Sequence, residues 1–421
     1  MEKVLGIIAE YNPFHNGHLY HINKSKELVN PDYTVCIISG NFVQRGNVSI
    51  VDKWSKAEMA LHAGANLVVE LPTIYSISSA ENFAEGCIKL LDSLKLDTVF
   101  SFGSECGDIS VLEKFSDILY KEPPEYKSLL NHELQTGISY PKARENALLM
   151  YVNDIRKYAN TLSASNNILG IEYLKAIKKL KSNVLPITIK RNAVDHNSSE
   201  TVDSFSSSTH IRELLCENKN ISKLVPDFSY DILARQINSG KSVLDIVAFE
   251  REILYALRRM TLNEIRNLPD VTEGLANSML AAINSCNSYY QLIEKIKSKS
   301  YTMSRLHRIL IYALLGITKE DMENSRKAKP YLRVLGLDDK GKDLLSKLSK
   351  SNPKLPVITS VKDFYKNSNN RVLNNMLNLD ILATDIYTLE YLNDSQSNLD
   401  YTQKIVTLPK PEDYIKEDYI K

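Results

Sequence analysis

Over the first 110 residues, short apolar, β-branched runs alternate with longer stretches whose apolar positions recur at i, i+3 and i+4. Lys3–Ala9, Thr34–Ser39, Asn66–Leu71 and Asp97–Phe102 read as strands, and Gly17–Val29, Asp52–Ala63 and Ser79–Leu94 as helices. Strands separated by helices of this length imply right-handed crossovers and a parallel sheet. The runs are apolar on both faces, as a sheet covered by helices on both sides requires. Residues 110–182 are mostly helical in pattern, and the Lys-rich end of Asn167–Leu180 suits a helix C-terminus. A strand returns at Val184–Lys190, and a helix with a Ser/Thr-rich start follows at Ser207–Glu217. From about 228 to 325 the spacing is helical throughout: Ile232–Asn238, Val243–Leu262, Gly274–Ala282, Tyr289–Lys297 and Ser304–Leu315. Leu332–Leu337 and Pro356–Ser360 read as strands around a helix at Lys340–Leu348, with another helix at Thr384–Tyr391. The expected architecture is an α/β domain over 1–220, a mainly helical domain over 221–328, and a small mixed α/β part over 329–421 ending in a flexible tail.

Composition narrows the class. The 421 residues are 43% hydrophobic and 24% charged, close to globular averages. No apolar run approaches the ~18–20 residues of a membrane span. The chain runs directly into a strand without a signal-peptide layout. Cys36, Cys87, Cys106, Cys216 and Cys286 are dispersed, with no C-x-x-C pair, which points to reduced thiols in a cytoplasm. The net charge of +1 is unevenly spread. Residues 251–350 carry 18 Lys and Arg against 11 Asp and Glu, whereas residues 1–250 carry 26 against 30. A polyanion would sit most comfortably on the middle block, and a solvated helical surface is the plain alternative.

The stretch that carries chemistry follows the first strand: Ile7-Ile8-Ala9-Glu10-Tyr11-Asn12-Pro13-Phe14-His15-Asn16-Gly17-His18-Leu19-Tyr20. It puts His15 and His18 at the carboxyl end of that strand, beside a helix N-terminus, where open α/β sheets bind ligands and backbone N–H groups attract phosphate. Gly17 permits close approach of a nucleotide to the backbone. Two imidazoles three residues apart share a helical face and can donate to phosphate oxygens; transfer at an α-phosphorus builds charge there. With His21 they also form an H-x-x-H-x-x-H run, so zinc ligation and incidental surface histidines are the competing readings. No metal site is expected. The chain has no G-x-x-x-x-G-K-[ST], no G-x-G-x-x-G after the first strand and no G-x-S-x-G, which disfavours P-loop, dinucleotide redox and α/β-hydrolase chemistry. The polar loop 40–51 is a candidate lid, with Arg45 and Lys53 as lesser candidates for neutralising an anion.

The H-x-G-H after a first strand, followed by Ser207-Ser208-Thr209-His210-Ile211-Arg212, resembles the adenylyl-transferring nucleotidyltransferase superfamily, and so implies a Rossmann-like HxGH domain. More closely, Glu10–His21, Ser39–Gly46, Phe102–Glu105, Asn166–Gly170 and Ala383–Tyr387 resemble the bacterial tRNA(Met) cytidine acetate ligase family along nearly the whole chain. The resemblance implies activation of acetate with ATP to acetyl-adenylate, then acetyl transfer to N4 of the wobble cytidine of elongator tRNA(Met). It implies ATP contacts along Ile7–Tyr20 with His15 and His18 on the phosphates, and further contacts at Gly103, at Asn167 (or its neighbour Asn166) and at Arg191. Direct attack of a carboxylate on ATP needs no enzyme nucleophile, only positioning and charge neutralisation, with Mg²⁺ held through the triphosphate.

A tRNA partner gives the basic block a use. Arg251, Arg258, Arg259, Lys295, Lys297, Lys299, Arg305 and Arg308 are interleaved with Tyr255, Tyr289, Tyr290 and Tyr301, the residue types that hold phosphates and stack bases. The same tyrosines would serve equally as core. Two other readings remain: a nucleotidyltransferase acting on a small cofactor precursor, and a nucleotide-sensing RNA-binding protein without catalysis.

Overall fold

The structure is a computed structural model that describes residues 2–191, 205–393 and 396–408. Nine strands are described: β1 Lys3–Ala9, β2 Tyr33–Ser39, β3 Phe42–Val43, β4 Asn47–Val48, β5 Leu67–Leu71, β6 Asp97–Ser104, β7 Leu185–Lys190, β8 Leu332–Leu337 and β9 Val357–Ile358. Seven of them form one sheet in the order β7-β6-β1-β2-β5-β8-β9. The first five neighbours are mutually parallel, β8 runs antiparallel to β5, and β9 is parallel to β8. After β1 the chain moves outward to β2 and β5, then crosses back to β6 on the other side of β1. The strand order therefore reverses between β1 and β6, and a crevice opens outside their carboxyl ends.

The two-residue period of the strands divides the core into two layers. Leu5, Ile7, Cys36, Ile38 and Val68 face Ile22, Ala57 and Ala60 from helices Asn16–Val29 and Lys53–His62. Val4, Val35, Ile37, Leu67 and Val69 face Phe83, Cys87 and Leu91 from helix Ala80–Ser93. Phe42 and Tyr312 belong to this second layer as well, so the apolar side chains of the basic helical block are continuous with it. The block is more broken than its periodicity suggests. Over Val243–Leu262, Asp245 caps Val247 N–H at 2.8 Å and opens a short 3₁₀ turn, Ile246–Phe249, before helix Glu250–Arg259. Thr261 and Glu264 then form a capping box that starts the next helix, Leu262–Asn267.

The expected small C-terminal part does not stand apart from the first domain, because its strands β8 and β9 extend the same sheet. Val406 donates to the Leu335 carbonyl at 2.9 Å; the tail beyond residue 408 lies outside the described residues. A buried ionic cluster fastens this seam. Lys53 donates to both Glu70 oxygens at 2.9–3.0 Å and to Asp400 at 2.8 Å, and Arg333 reaches the Asp400 carbonyl at 3.2 Å. Asp380 accepts from Thr73 N–H at 2.7 Å and from the Tyr331 hydroxyl. Two cations thus serve three carboxyls away from water. Burial pushes Glu70 up to about 8 and Asp380 up to about 6. Burial acts on Asp400 in the same direction, but Lys53 and Arg333 hold it below the usual carboxylate range. Lys53, a lesser candidate for anion binding, is therefore structural: its side chain is fully enclosed by this cluster. Lys53→Met should lower unfolding stability by about 3–5 kcal/mol, as expected when one partner of a buried ion pair is removed. Urea denaturation at pH 7 measures it, and a loss under 1 kcal/mol would contradict this role.

Candidate active site at the carboxyl ends of β1 and β6

Helix Asn16–Val29 begins at the end of β1, and its first N–H groups need acceptors. Histidines supply them. His15 is the N-cap: its Nδ1 accepts from Gly17 N–H at 3.0 Å, and His18 Nδ1 accepts from His15 N–H at 3.2 Å. The two rings stack 3.7 Å apart at 23°. An imidazole nitrogen that accepts carries no proton, so in the neutral ring the hydrogen sits on Nε2. Both histidines are thereby set as Nε2–H donors, and both line the cavity. A Cβ on residue 17 would lie 2.9 Å from His15 Cε1, so glycine there is what admits the ring.

The turn before the helix contains a cis Asn12–Pro13 bond and is held from three directions. Asn12 Nδ2 donates to the Val48 carbonyl and Oδ1 accepts from Ile50 N–H, both at 2.8 Å. Arg212 Nη1 donates to the Asn12 carbonyl at 2.8 Å. That last bond joins two motifs 200 residues apart in sequence. Ser207 caps its own helix through His210 N–H at 3.1 Å, and Arg212 Nη2 bonds Thr209 Oγ1 at 3.3 Å. The neighbouring Ser206 Oγ is buried in the cavity wall with no partner among the described residues, an unused group suited to an oxyanion.

The cavity has a volume of about 720 Å³, within the usual size of a small-molecule site. Of the segment 7–20, Ile8, Ala9, Glu10, Tyr11, Asn12, His15, Gly17, His18 and Tyr20 line it. Ile7 and Phe14 turn into the core, Leu19 packs on that core, and Asn16 anchors the helix start to the Lys223 and Leu224 carbonyls. Gly103 and Arg191 line the cavity together: the Arg191 stem lies 3.2 Å from where a Gly103 Cβ would stand. Burial lowers the Arg191 pKa, and Glu105 partly offsets this. Asn167 does not line the cavity. Its Oδ1 accepts from Cys106 N–H and its Nδ2 donates to the Thr161 carbonyl, both at 3.1 Å, so its amide holds a turn. Asn166 lines the cavity in its place, oriented by Nδ2 donation to Glu105 Oε1 at 2.7 Å.

The loop 40–51 was expected as a lid. It is instead a buried hairpin, β3 against β4, with Gln44 N–H bonded to Glu10 Oε1 at 2.7 Å. Lys56, which no sequence signal marked, donates from Nζ to the carbonyls of Glu10, Ser39 and Gly40 at 2.7–3.2 Å, using all three of its hydrogens. Burial pushes its ammonium down to about 7. Gly46, with φ +76°, lies so close to helix Met303–Leu315 that a Cβ would meet Arg308 N at 2.5 Å and His307 Cβ at 2.6 Å. Arg45 reaches the cavity from this hairpin, and Ser304 and His307 close the wall from that helix. No local motif announced those two residues, because they join the site only through the packing of the hairpin. His21 lines the cavity too, but its Nε2 is bonded to Ser101 Oγ at 3.0 Å. Among the described residues no group of three His, Cys, Asp or Glu is placed to hold a metal.

A family model described as HIGH Nucleotidyl Transferase matches residues 2–402. A tRNA(Met) cytidine acetate ligase from Thermoanaerobacter pseudethanolicus is 44% identical over 408 residues, covering 96% of this chain and all of the relative. The chain belongs to the tRNA(Met) cytidine acetate ligase family. Another member, from Acetivibrio thermocellus, is 42% identical over 416 residues, covering 96% of this chain and all of that relative. Two crystal structures of Thermotoga maritima TmcAL share 34% identity and cover 97% of this chain and all of their own. The apo form superposes with a TM-score of 0.92 and the form bound with alpha-thio ATP with 0.89.

Burial, and next the Arg191 charge, push the His21 imidazole down to about 4. Between pH 6.5 and about 4 the unfolded chain therefore binds a proton that the folded chain refuses, and stability falls as pH falls through that window. In urea titrations the midpoint should drop between pH 6.5 and 4.5 less steeply for His21→Asn than for the wild type. Equal slopes would contradict this.

Proposed function

We propose that the protein activates acetate with ATP and passes the acetyl group to N4 of the wobble cytidine of elongator tRNA(Met), in the cytoplasm. The observation that carries this reading is the Arg212–Asn12 bond, which brings both signature motifs of the family to one cavity. In the first step an acetate oxygen attacks the α-phosphorus of ATP and pyrophosphate leaves. Charge then grows on the phosphate oxygens, and the Nε2–H groups of His15 and His18, the Ser206 hydroxyl and the Arg191 guanidinium supply fixed donors for it. Mg²⁺ carried on the triphosphate would add to this charge neutralisation. The lining of Ile8–Asn12, Gly103 and Asn166 supports the nucleotide's placement at the crevice between β1 and β6. No helix among the described residues is long and apolar enough to cross a membrane.

The basic block supports the RNA half of the reading, with a narrower set of residues than its composition suggests. Tyr255 and Tyr290 are 63% and 67% exposed, and the Arg259 guanidinium stands 5.3 Å over the Tyr255 ring. Arg258, on the Tyr255 helix, donates to the Cys286 carbonyl at 2.9 Å, in the segment that leads into the Tyr290 helix. Tyr289 is core, and Arg308 is buried and paired with Asp270, so neither belongs to this face. Tyr301 is half-buried and bonded to Thr272 at 2.8 Å.

Three experiments test the reading. Incubation with ATP, acetate and bulk bacterial tRNA, followed by nucleoside mass analysis, should yield N4-acetylcytidine; adenylylation of a small acceptor instead would favour the cofactor-precursor alternative. Acetate-dependent ATP–pyrophosphate exchange should fall at least ~100-fold in His18→Ala with the melting temperature retained. Unchanged exchange would remove the phosphate role. The pair Tyr255→Ala and Tyr290→Ala should weaken tRNA binding at least ~10-fold by filter binding, given about 1–3 kcal/mol per stacked base. Undiminished binding would move the RNA to another face.

A further inference from the structure

The cavity has two walls of different origin. One is made by the ends of β1, β6 and β7 and the Ser206–Arg212 turn. The other is made by the hairpin tip at Gln44 and Arg45 together with Ser304 and His307 of helix Met303–Leu315. Four histidines line the cavity: His15, His18, His21 and His307. The first three are committed to Gly17 N–H, His15 N–H and Ser101 Oγ. Among the described residues, no group hydrogen-bonds the His307 ring, whose contact is with the Tyr289 ring at 6.0 Å. Tyr289 in turn packs 6.0 Å from exposed Tyr290, so His307 sits between the cavity and the face assigned to RNA.

We infer that His307 serves the acetyl-transfer step as the base that takes a proton from the cytidine N4 amine. This rests on the ligase reading above. The cytidine amine is a weak nucleophile because its lone pair is shared with the ring, so its proton must leave as the new bond forms. The N4 nitrogen attacks the acetyl carbonyl carbon, the bond from that carbon to the phosphate oxygen breaks, AMP departs with the electron pair, and the N4 proton passes to a His307 ring nitrogen. Burial lowers the His307 pKa from 6.5, partly opposed by Asp245, so the ring is unprotonated and ready to accept at neutral pH. The groups around it are Asp245 from the loop before the 3₁₀ turn, Tyr289, the hairpin with Arg45, and on its own helix Arg308, which is paired with Asp270. The close approach of Gly46 to the His307 Cβ and to the backbone of His307 and Arg308 sets where this side chain leaves its helix beside the hairpin.

The test is single-turnover transfer from enzyme-bound acetyl-adenylate to saturating elongator tRNA, read as N4-acetylcytidine against pH. Wild-type transfer should rise with pH up to the His307 pKa, below 6.5, and stay level above it. His307→Gln should transfer ~100-fold to 10,000-fold more slowly at pH 7.5, without the acid limb. In His307→Ala, added imidazole should restore part of the rate, which also shows that the variant is folded. A variant within threefold of the wild type, a slow variant that keeps the acid limb, or a defect confined to tRNA affinity would overturn the inference. A wild-type enzyme that forms no acetyl-adenylate would refute the ligase reading, and the role of His307 with it.

Discussion

A helix that starts at the end of a buried strand must find acceptors for its first N–H groups, and in this protein imidazoles provide them. The choice has a chemical consequence. A serine or aspartate cap would satisfy the same N–H groups and present nothing more, whereas a histidine that accepts at Nδ1 holds a hydrogen on Nε2. His15 and His18 become oriented donors through the same two bonds that start the helix. The stacking of their rings and the missing side chain at residue 17 keep that geometry in place. Fold and site thus depend on one local arrangement.

Around it, the remaining contacts fix the turn that carries the cap. Arg212 holds the Asn12 carbonyl, the Asn12 amide holds Val48 of β4 and the Ile50 N–H beyond it, and Lys56 draws together the carboxyl ends of β1 and β2. The hairpin then meets the helical block at Gly46, where backbone touches backbone. Parts remote in sequence converge on one cavity, with its far wall built by a helix from the basic block.

Much of this was legible in the sequence because period, composition and motif agreed. β1 spans Lys3–Ala9 and β8 spans Leu332–Leu337, as their apolar runs suggested. The H-x-G-H and S-S-T-x-I-R segments announced the residues that meet at the cavity through residue types that act locally. What stayed hidden depends on contacts across the chain. The amide of Asn167 turned out to hold a turn while that of Asn166 faces the cavity, a one-residue distinction made by Glu105 from 61 residues away. The polar loop 40–51 read as mobile, but its asparagines and backbone are consumed by bonds to Asn12, Glu10 and Ile246. The sheet gained two strands from the C-terminus because Lys53, Glu70, Arg333 and Asp400 meet in the interior, a pairing that no local pattern reveals.

The central claim is that two imidazoles are held by backbone N–H groups in one tautomer and offer their other edge to phosphate. Nitrogen-15 NMR of the histidine rings at pH 8, with assignments from His15→Gln and His18→Gln, measures this directly. The account predicts two rings with protonated Nε2 and bare Nδ1, whose Nε2 shifts move when a non-hydrolysable ATP analogue binds. Protonated Nδ1 at either ring, or Nε2 shifts indifferent to the analogue, would contradict it.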